Sequence, residues 1–432
     1  MKKSLLMLLV VVASMFFFSC NNKTEKVQQT TPENENTEYI SGNLPSSVQV
    51  STNVADIKGL SCIVIDDYDF NAMVKTMENA PLAAACSEVR KGDFVTRNLD
   101  WFQYDQATYL MAVGHTDKHF ASLTVCSLND KFTHDFDCSN ISKEDANSFM
   151  ACATDGMNEN GVYIGVNVVP FGQMTTKEGK GEVNYRPKEG ENKDKMQLPT
   201  SFVIRMVLDH AKNLADAERI IRETPWKDTP LLTAGGFQAH WMVATSEGTF
   251  VCEFVDGEPT FTYAASPNSA DYGNIMTNFS NYLMANGGKI QSHGAGYERF
   301  NVLKSNYESA TPEDFARLVF YSRMYAENYT APNYFWTEWA TDQFPAAQLM
   351  TWRDDASTRT GELWNQFVSS YNDACSKYDW RKIGYDLDRS RGSWYTSHSS
   401  VWDLANKTLL LDIEEQNAFK AKFSLDGKFE TK

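Results

Sequence analysis

The chain lacks an excess of basic residues, lacks any CxxC pair, and past its first twenty positions has no apolar run long enough to cross a bilayer. Lys and Arg total 40 against 56 Asp and Glu, a formal net charge of −16. Without clustered cations there is nothing to hold a phosphate backbone, which excludes a nucleic-acid partner. Eight cysteines are spread over 432 residues and none stands with His at zinc-finger spacing, so neither a metal nor another cofactor is expected. Histidine is scarce too. Of the seven, only His115 and His119 have HxxxH spacing, and HTDKH contains no Glu to serve as the base of a zinc protease. Gly114 before it makes the segment a turn carrying two solvated histidines. No internal repeat is present.

What is there is apolar and aromatic. Hydrophobic residues make up 42% of the chain and aromatics 13%, enough for one large core or two ordinary ones. Lys2 and Lys3 precede an apolar run from Leu5 to Phe18, followed by Ser19 and Cys20, the form of a secretory signal over residues 1–20. A small residue before Cys resembles a bacterial lipoprotein cleavage site, with Cys20 lipidated; this points to an exported protein, periplasmic or attached to the outer membrane. Residues 21–52 are rich in Asn, Thr, Glu, Gln and Ser and read as a polar tether. In an oxidising compartment Cys126 and Cys138 are the nearest candidates for a disulfide, whereas most cysteines read as small buried hydrophobes.

Beyond the tether, residues 53–85 form a structured segment, with a strand at 61–66 and a short helix at 71–78. From Cys86 to the end, short strands dominate. CSEVRK and FVTRNLDW flank Gly92-Asp93 as a hairpin, 161–169 alternates as a strand, and 240–264 holds three strand-like runs. Helical periodicity covers 200–211 and 215–223, Thr311 caps a further helix, and 175–196 is a polar loop. Strand returns from Trp394 to Ile413, with Thr408–Leu411 as an edge. Strands, then helices, then strands imply an α+β stack of antiparallel sheets with helices outside.

Four passages carry chemistry. In PLAAACSEVRKGDFVTRNLDWF, cleavage of the Ala85–Cys86 bond would free an α-amine that titrates near ~8, close enough to neutrality to take the proton of its own thiol. Arg97 and Asp100 return beside Cys86 on the second hairpin strand; Arg97 can sustain a thiolate and Asp100 can hold the ammonium. In DGMNENGVYIGVN, Asn167 ends a strand and can donate to an oxyanion, and Asn278 of YGNIMTN is a second such donor. In GAGYERF, Arg299 begins a helix. Read singly, each has a plain structural alternative: a buried cysteine, a surface ion pair, turn asparagines and a solvated arginine.

Together and in order, Cys…RNLDW, DGMNENG…N, MTN and ERF resemble the choloylglycine hydrolase family of bile salt hydrolases and penicillin V acylases, over Cys86 to about Ile413. The resemblance implies a four-layer αββα sandwich of N-terminal nucleophile hydrolase type over residues 86–432. It also implies hydrolysis of a linear amide C–N bond in a small-molecule substrate, conjugated bile salts or penicillin V-like N-acyl amides. It makes Cys86 the nucleophile, with Arg97 and Asp100 positioning it, Asn167 and Asn278 around the tetrahedral intermediate and Arg299 in support. The hairpin after Cys86 is shorter than in typical bile salt hydrolases. The long segment before it is similar to acid ceramidase-like amidases, which keep the released piece. Homo-oligomer formation is compatible with this reading, and a catalytically silent, tethered binding protein of the same fold is the alternative.

Overall fold

The computed structural model describes residues 40–43, 49–51, 60–65, 68–76, 85–101, 108–126, 150, 152–170, 174–175, 197–228, 237–290, 296–312, 314–315, 344–345, 348, 351, 358, 360–377, 395–413, 421–425 and 428–431. The expected signal segment, Cys20 and Cys138 lie outside them.

The hairpin after Cys86 forms as its sequence requires. Strands β4 (Ala85–Lys91) and β5 (Phe94–Trp101) pair through a two-residue turn in which Gly92 adopts a φ of 61°. Glycine reaches that conformation without a Cβ clash. The hairpin lies in an eight-stranded antiparallel sheet. The remaining strands of that sheet are β1 (Ile40–Asn43), β13 (Ile275–Met276), β14 (Tyr395–Asp403), β15 (Thr408–Ile413), β16 (Ala421–Ser424) and β17 (Lys428–Thr431). Their order is β1-β17-β16-β15-β14-β5-β4-β13.

A second sheet has nine strands: β2 (Gln49–Ser51), β3 (Leu60–Ile65), β6 (Thr108–Val113), β7 (Ser122–Cys126), β8 (Ala153–Asn158), β9 (Tyr163–Pro170), β10 (Phe237–Ala244), β11 (Thr249–Val255) and β12 (Glu258–Tyr263). They lie in the order β12-β11-β10-β9-β8-β7-β6-β3-β2, antiparallel except for β3 on β6.

Period-two alternation divides the apolar residues between layers. Leu110, Leu123, Val125 and Met242 pack against Val95, Trp402, Leu409 and Phe423 of the first sheet. Tyr109, Met111, Trp241 and Val243 pack instead on helices α1 (Phe70–Thr76), α2 (Val203–His210) and α3 (Leu214–Glu223), the last capped by Asn213 accepting from Asp216 N–H. On the outer side of the first sheet, Val89 and Ile275 meet Phe300 and Leu303 of α5 (Tyr297–Ser305), just beyond the short helix α4 (Asn281–Ala285). The fold is a four-layer αββα sandwich, the layering expected from the sequence.

Several expectations need correction. Residues 40–43 and 49–51, placed in the tether, form β1 and β2: an edge strand gains backbone pairing even where its side chains are polar. Thr408–Leu411 is not an edge, because β16 pairs on its far side. The HTDKH segment is irregular, as expected, and His115 is exposed against Glu159. His119, however, is buried and stacked on Tyr68 with centroids 5.0 Å apart. Cys126 is a free, buried thiol whose Sγ lies 3.8 Å from Thr124 Oγ1, and its expected partner Cys138 lies outside the described residues.

Candidate active site

Alternation along β4 aims Cys86, Glu88 and Arg90 at the second sheet, while Ser87, Val89 and Lys91 turn toward the α5 side. Cys86 is fully buried. Arg97, two registers along on β5, reaches it across the hairpin: its Nη2 donates to Cys86 Sγ at 3.3 Å and to Val166 O at 2.7 Å. Its Nε donates to Glu88 Oε1 at 3.0 Å and its Nη1 to Asp155 Oδ1 at 3.3 Å. A guanidinium spread over four acceptors from three strands has little freedom to turn.

The strand β9 passes beneath this point. Val166 O accepts from Arg97, and Val168 O accepts from Asn278 Nδ2 at 2.8 Å. Between them Asn167, in mid-strand rather than at its end, donates from Nδ2 to Met276 O at 3.3 Å. Its Oδ1 is buried and accepts nothing among the described residues. Asn278 Oδ1 accepts from Cys86 N–H at 3.1 Å and from Arg299 Nη2. Two donors on one oxygen settle which way that amide points. Arg299, in the first turn of α5, also lies 3.4 Å from Cys86 O and from Ser87 Oγ. Behind Asn278, the Thr277 hydroxyl donates to Gly296 O and the His240 ring meets Thr277 O, both at 2.7 Å.

Five of the six residues expected from the sequence therefore converge: Cys86, Arg97, Asn167, Asn278 and Arg299. The sixth, Asp100, lies opposite Ala85 in the hairpin register, but its side chain lies outside the described residues. Asn278, expected to donate to an oxyanion, has an Nδ2 hydrogen on Val168 O and turns its carbonyl oxygen to the Cys86 nitrogen.

Three site residues escaped the sequence reading. Asp155 falls in the DGMNENG passage, read there only as part of a turn and its flanking strand. It accepts from Arg97, Thr154, His398 Nε2 at 3.1 Å, Ser400 at 2.6 Å and the Trp402 indole at 2.8 Å. Burial alone would raise its carboxyl, but Arg97 and hydrogen bonds from His398 and Ser400 outweigh that and hold it well below the usual carboxylate range. His398 was one of seven histidines with no local motif. Glu88 looked like an ordinary strand acid two residues past the cysteine. Its burial pushes the carboxyl up to about 8, against the pull of Arg97.

No protein-family model and no curated protein sequence matches the chain. Solved structures that it resembles include two variants of the conjugated bile acid hydrolase from Clostridium perfringens. They are 12% and 13% identical with TM-scores of 0.34 and 0.35, and each match covers 77% of this chain and 90% of theirs. A penicillin V acylase from Agrobacterium tumefaciens is 13% identical over 76% of this chain and 82% of its own, with a TM-score of 0.34.

Proposed function

We propose that this chain is a hydrolase of linear amide bonds that uses Cys86 as a processed N-terminal nucleophile. One observation carries this reading: the Cys86 sulfur faces a fully buried arginine while its own nitrogen is held by an asparagine oxygen. In the unbroken chain that nitrogen is a peptide N–H; it stands where the α-amine would be once the Ala85–Cys86 bond is cut.

The chemistry follows from these contacts. The α-amine, oriented by Asn278 Oδ1, takes the thiol proton, and Arg97 Nη2 sustains the thiolate. The thiolate attacks the substrate carbonyl, forming a C–S bond and an oxyanion. The ammonium then gives its proton to the departing nitrogen as the C–N bond breaks, leaving a thioester. Water, deprotonated by the same α-amine, hydrolyses the thioester and regenerates the thiol. Asn167, whose Oδ1 is buried and open among the described residues, is suited to accept the amide N–H of the substrate. Asp100 is assigned the role of holding the ammonium, on the family resemblance of the RNLDW motif.

The substrates we propose are conjugated bile salts or penicillin V-like N-acyl amides. An acid ceramidase-like preference for other N-acyl amides is the second reading, favoured by the pairing of residues before Cys86 into both sheets. Export with a lipid on Cys20 belongs to the same proposal. The test is a panel of conjugated bile salts, penicillin V and longer-chain N-acyl amides, with N-terminal sequencing of the purified protein. Product release by protein starting at Cys86, lost in Cys86→Ser, supports the reading. Fully processed protein that leaves the whole panel intact would falsify it.

A further inference from the structure

The cluster around Arg97 holds more acids than cations. Arg97 contacts three groups that can be negative: Asp155, Glu88 and the Cys86 sulfur. Asp155 takes five donors, Arg97 included, and stays ionised, so it neutralises the guanidinium. A further negative charge can sit on Glu88 or on Cys86, but with both ionised two like charges would share one buried guanidinium.

The groups around Glu88 come from every strand packed on it: Cys86 two residues before it on the same face of β4, Arg97 on β5, Asp155 on β8, Tyr163 on β9 and, against Asp155 and 3.3 Å from Arg97 Nη1, His398 on β14. The Tyr163 hydroxyl donates to Glu88 Oε2 at 3.2 Å. Arg90, next on the same face, spends its guanidinium on Gly92 O, Thr245 O and Thr249 Oγ1. The Glu88 carboxyl is also pressed against the backbone of β9, where a Cβ on Gly165 would lie 2.5 Å from Oε2. Glu88 is fully buried there.

We propose that Glu88 is a positioning residue that sets how much of the Arg97 charge reaches Cys86: protonated, it leaves the guanidinium to the thiolate, and ionised, it competes for it. Its burial-raised affinity for the proton keeps it mostly neutral at neutral pH, the state that favours the thiolate. This inference rests on the nucleophile assigned above.

The test reads the Cys86 thiolate without any substrate. Ultraviolet absorbance of the purified full chain is titrated against pH, and the same titration of Cys86→Ala in each background is subtracted. In Glu88→Gln the competing charge cannot form, so the part of the titration above about pH 8, where the parent carboxyl is ionised, should move to lower pH, while the part below it, where Glu88 is already neutral, should change little. Tyr163→Phe keeps the carboxyl but removes a hydrogen bond that favours its ionised form, so it should move the upper part the same way by less. A titration above about pH 8 that is unchanged or moved upward in a folded Glu88→Gln protein overturns the proposal and leaves Glu88 a packing residue. If Glu88→Gln does not fold, Tyr163→Phe decides, and no downward shift overturns it. A shift in a protein that cleaves no amide would sink the amidase reading while sparing the Glu88–Cys86 coupling.

Discussion

At the scale of single residues, the site divides between groups that hold Cys86 and groups that hold Arg97. Asn278 belongs to the first, so Asn278→Ala should lower kcat by roughly 100-fold or more, with a modest loss of melting temperature. Asn167→Ala should raise KM more than it lowers kcat, since its open oxygen is assigned to the substrate. Steady-state kinetics on the best substrate of the panel, with melting curves on the same preparations, separate the two outcomes. Glu88 belongs to the second set and makes stability depend on pH. Its folded-state value is raised from 4.5 to about 8, so the native state binds the proton more tightly than the unfolded chain. The stability it contributes is complete below 4.5 and is lost as pH rises through about 8. Asp155 has the opposite sign: its contribution is present above 3.8 and is lost as pH falls below that value. Melting temperature should therefore decline from about pH 5 to about pH 8 in the parent protein and decline less in Glu88→Gln. Parallel profiles would refute the assignment.

At the scale of elements, two glycines do different work in the elements around the site. Gly92 supplies a positive φ at the hairpin turn, remote from the sulfur. Gly92→Ala should cost about 1–2 kcal/mol through backbone strain and leave kcat nearly unchanged. Gly165 has no such φ, but a Cβ there would lie 2.5 Å from both Glu88 Oε2 and Tyr163 Oη. Gly165→Ala should cost about 1–3 kcal/mol by overpacking and also depress kcat, because Glu88 and with it Arg97 must shift. Comparing kcat with melting temperature for the pair tests whether β9 is pressed on the charge cluster as described. Equal losses of kcat would argue against it.

At the scale of the molecule, the described residues between 40 and 76 are built into both sheets and the core. β1 pairs with β17 at one sheet edge, and β2 and β3 extend the other sheet beyond β6. Ile65, Tyr68, Met73 and Val74 sit in the same core as Trp241 and Phe250, and the Tyr68 hydroxyl bonds to Asp209 of α2. Removing this piece would open an apolar face and strip two strand edges, so the fragment should remain bound after cleavage at Cys86. Processed protein is expected to run as two bands on a denaturing gel and to elute as a single species on size exclusion. Elution of the larger fragment alone would contradict this.

Local pattern in the sequence determined most of the elements. Alternation and turn residues marked the hairpin at Gly92-Asp93, the strands at 161–169 and 240–264 and the helices near 200–223, because those choices depend on residues a few positions apart. The order of the four motifs also nominated Cys86, Arg97, Asp100, Asn167, Asn278 and Arg299. Only the tertiary structure decided which acids stand around Arg97. Glu88, Asp155 and His398 lie 9, 58 and 301 residues from it in the chain, and nothing local distinguishes a buried carboxyl from a solvated one. The same holds for β1 and β2, whose polar composition reads as a tether until a partner strand, at the far end of the chain for β1 and the next strand for β2, completes their backbone hydrogen bonds. Charge burial and strand pairing are properties of the neighbours a residue acquires on folding.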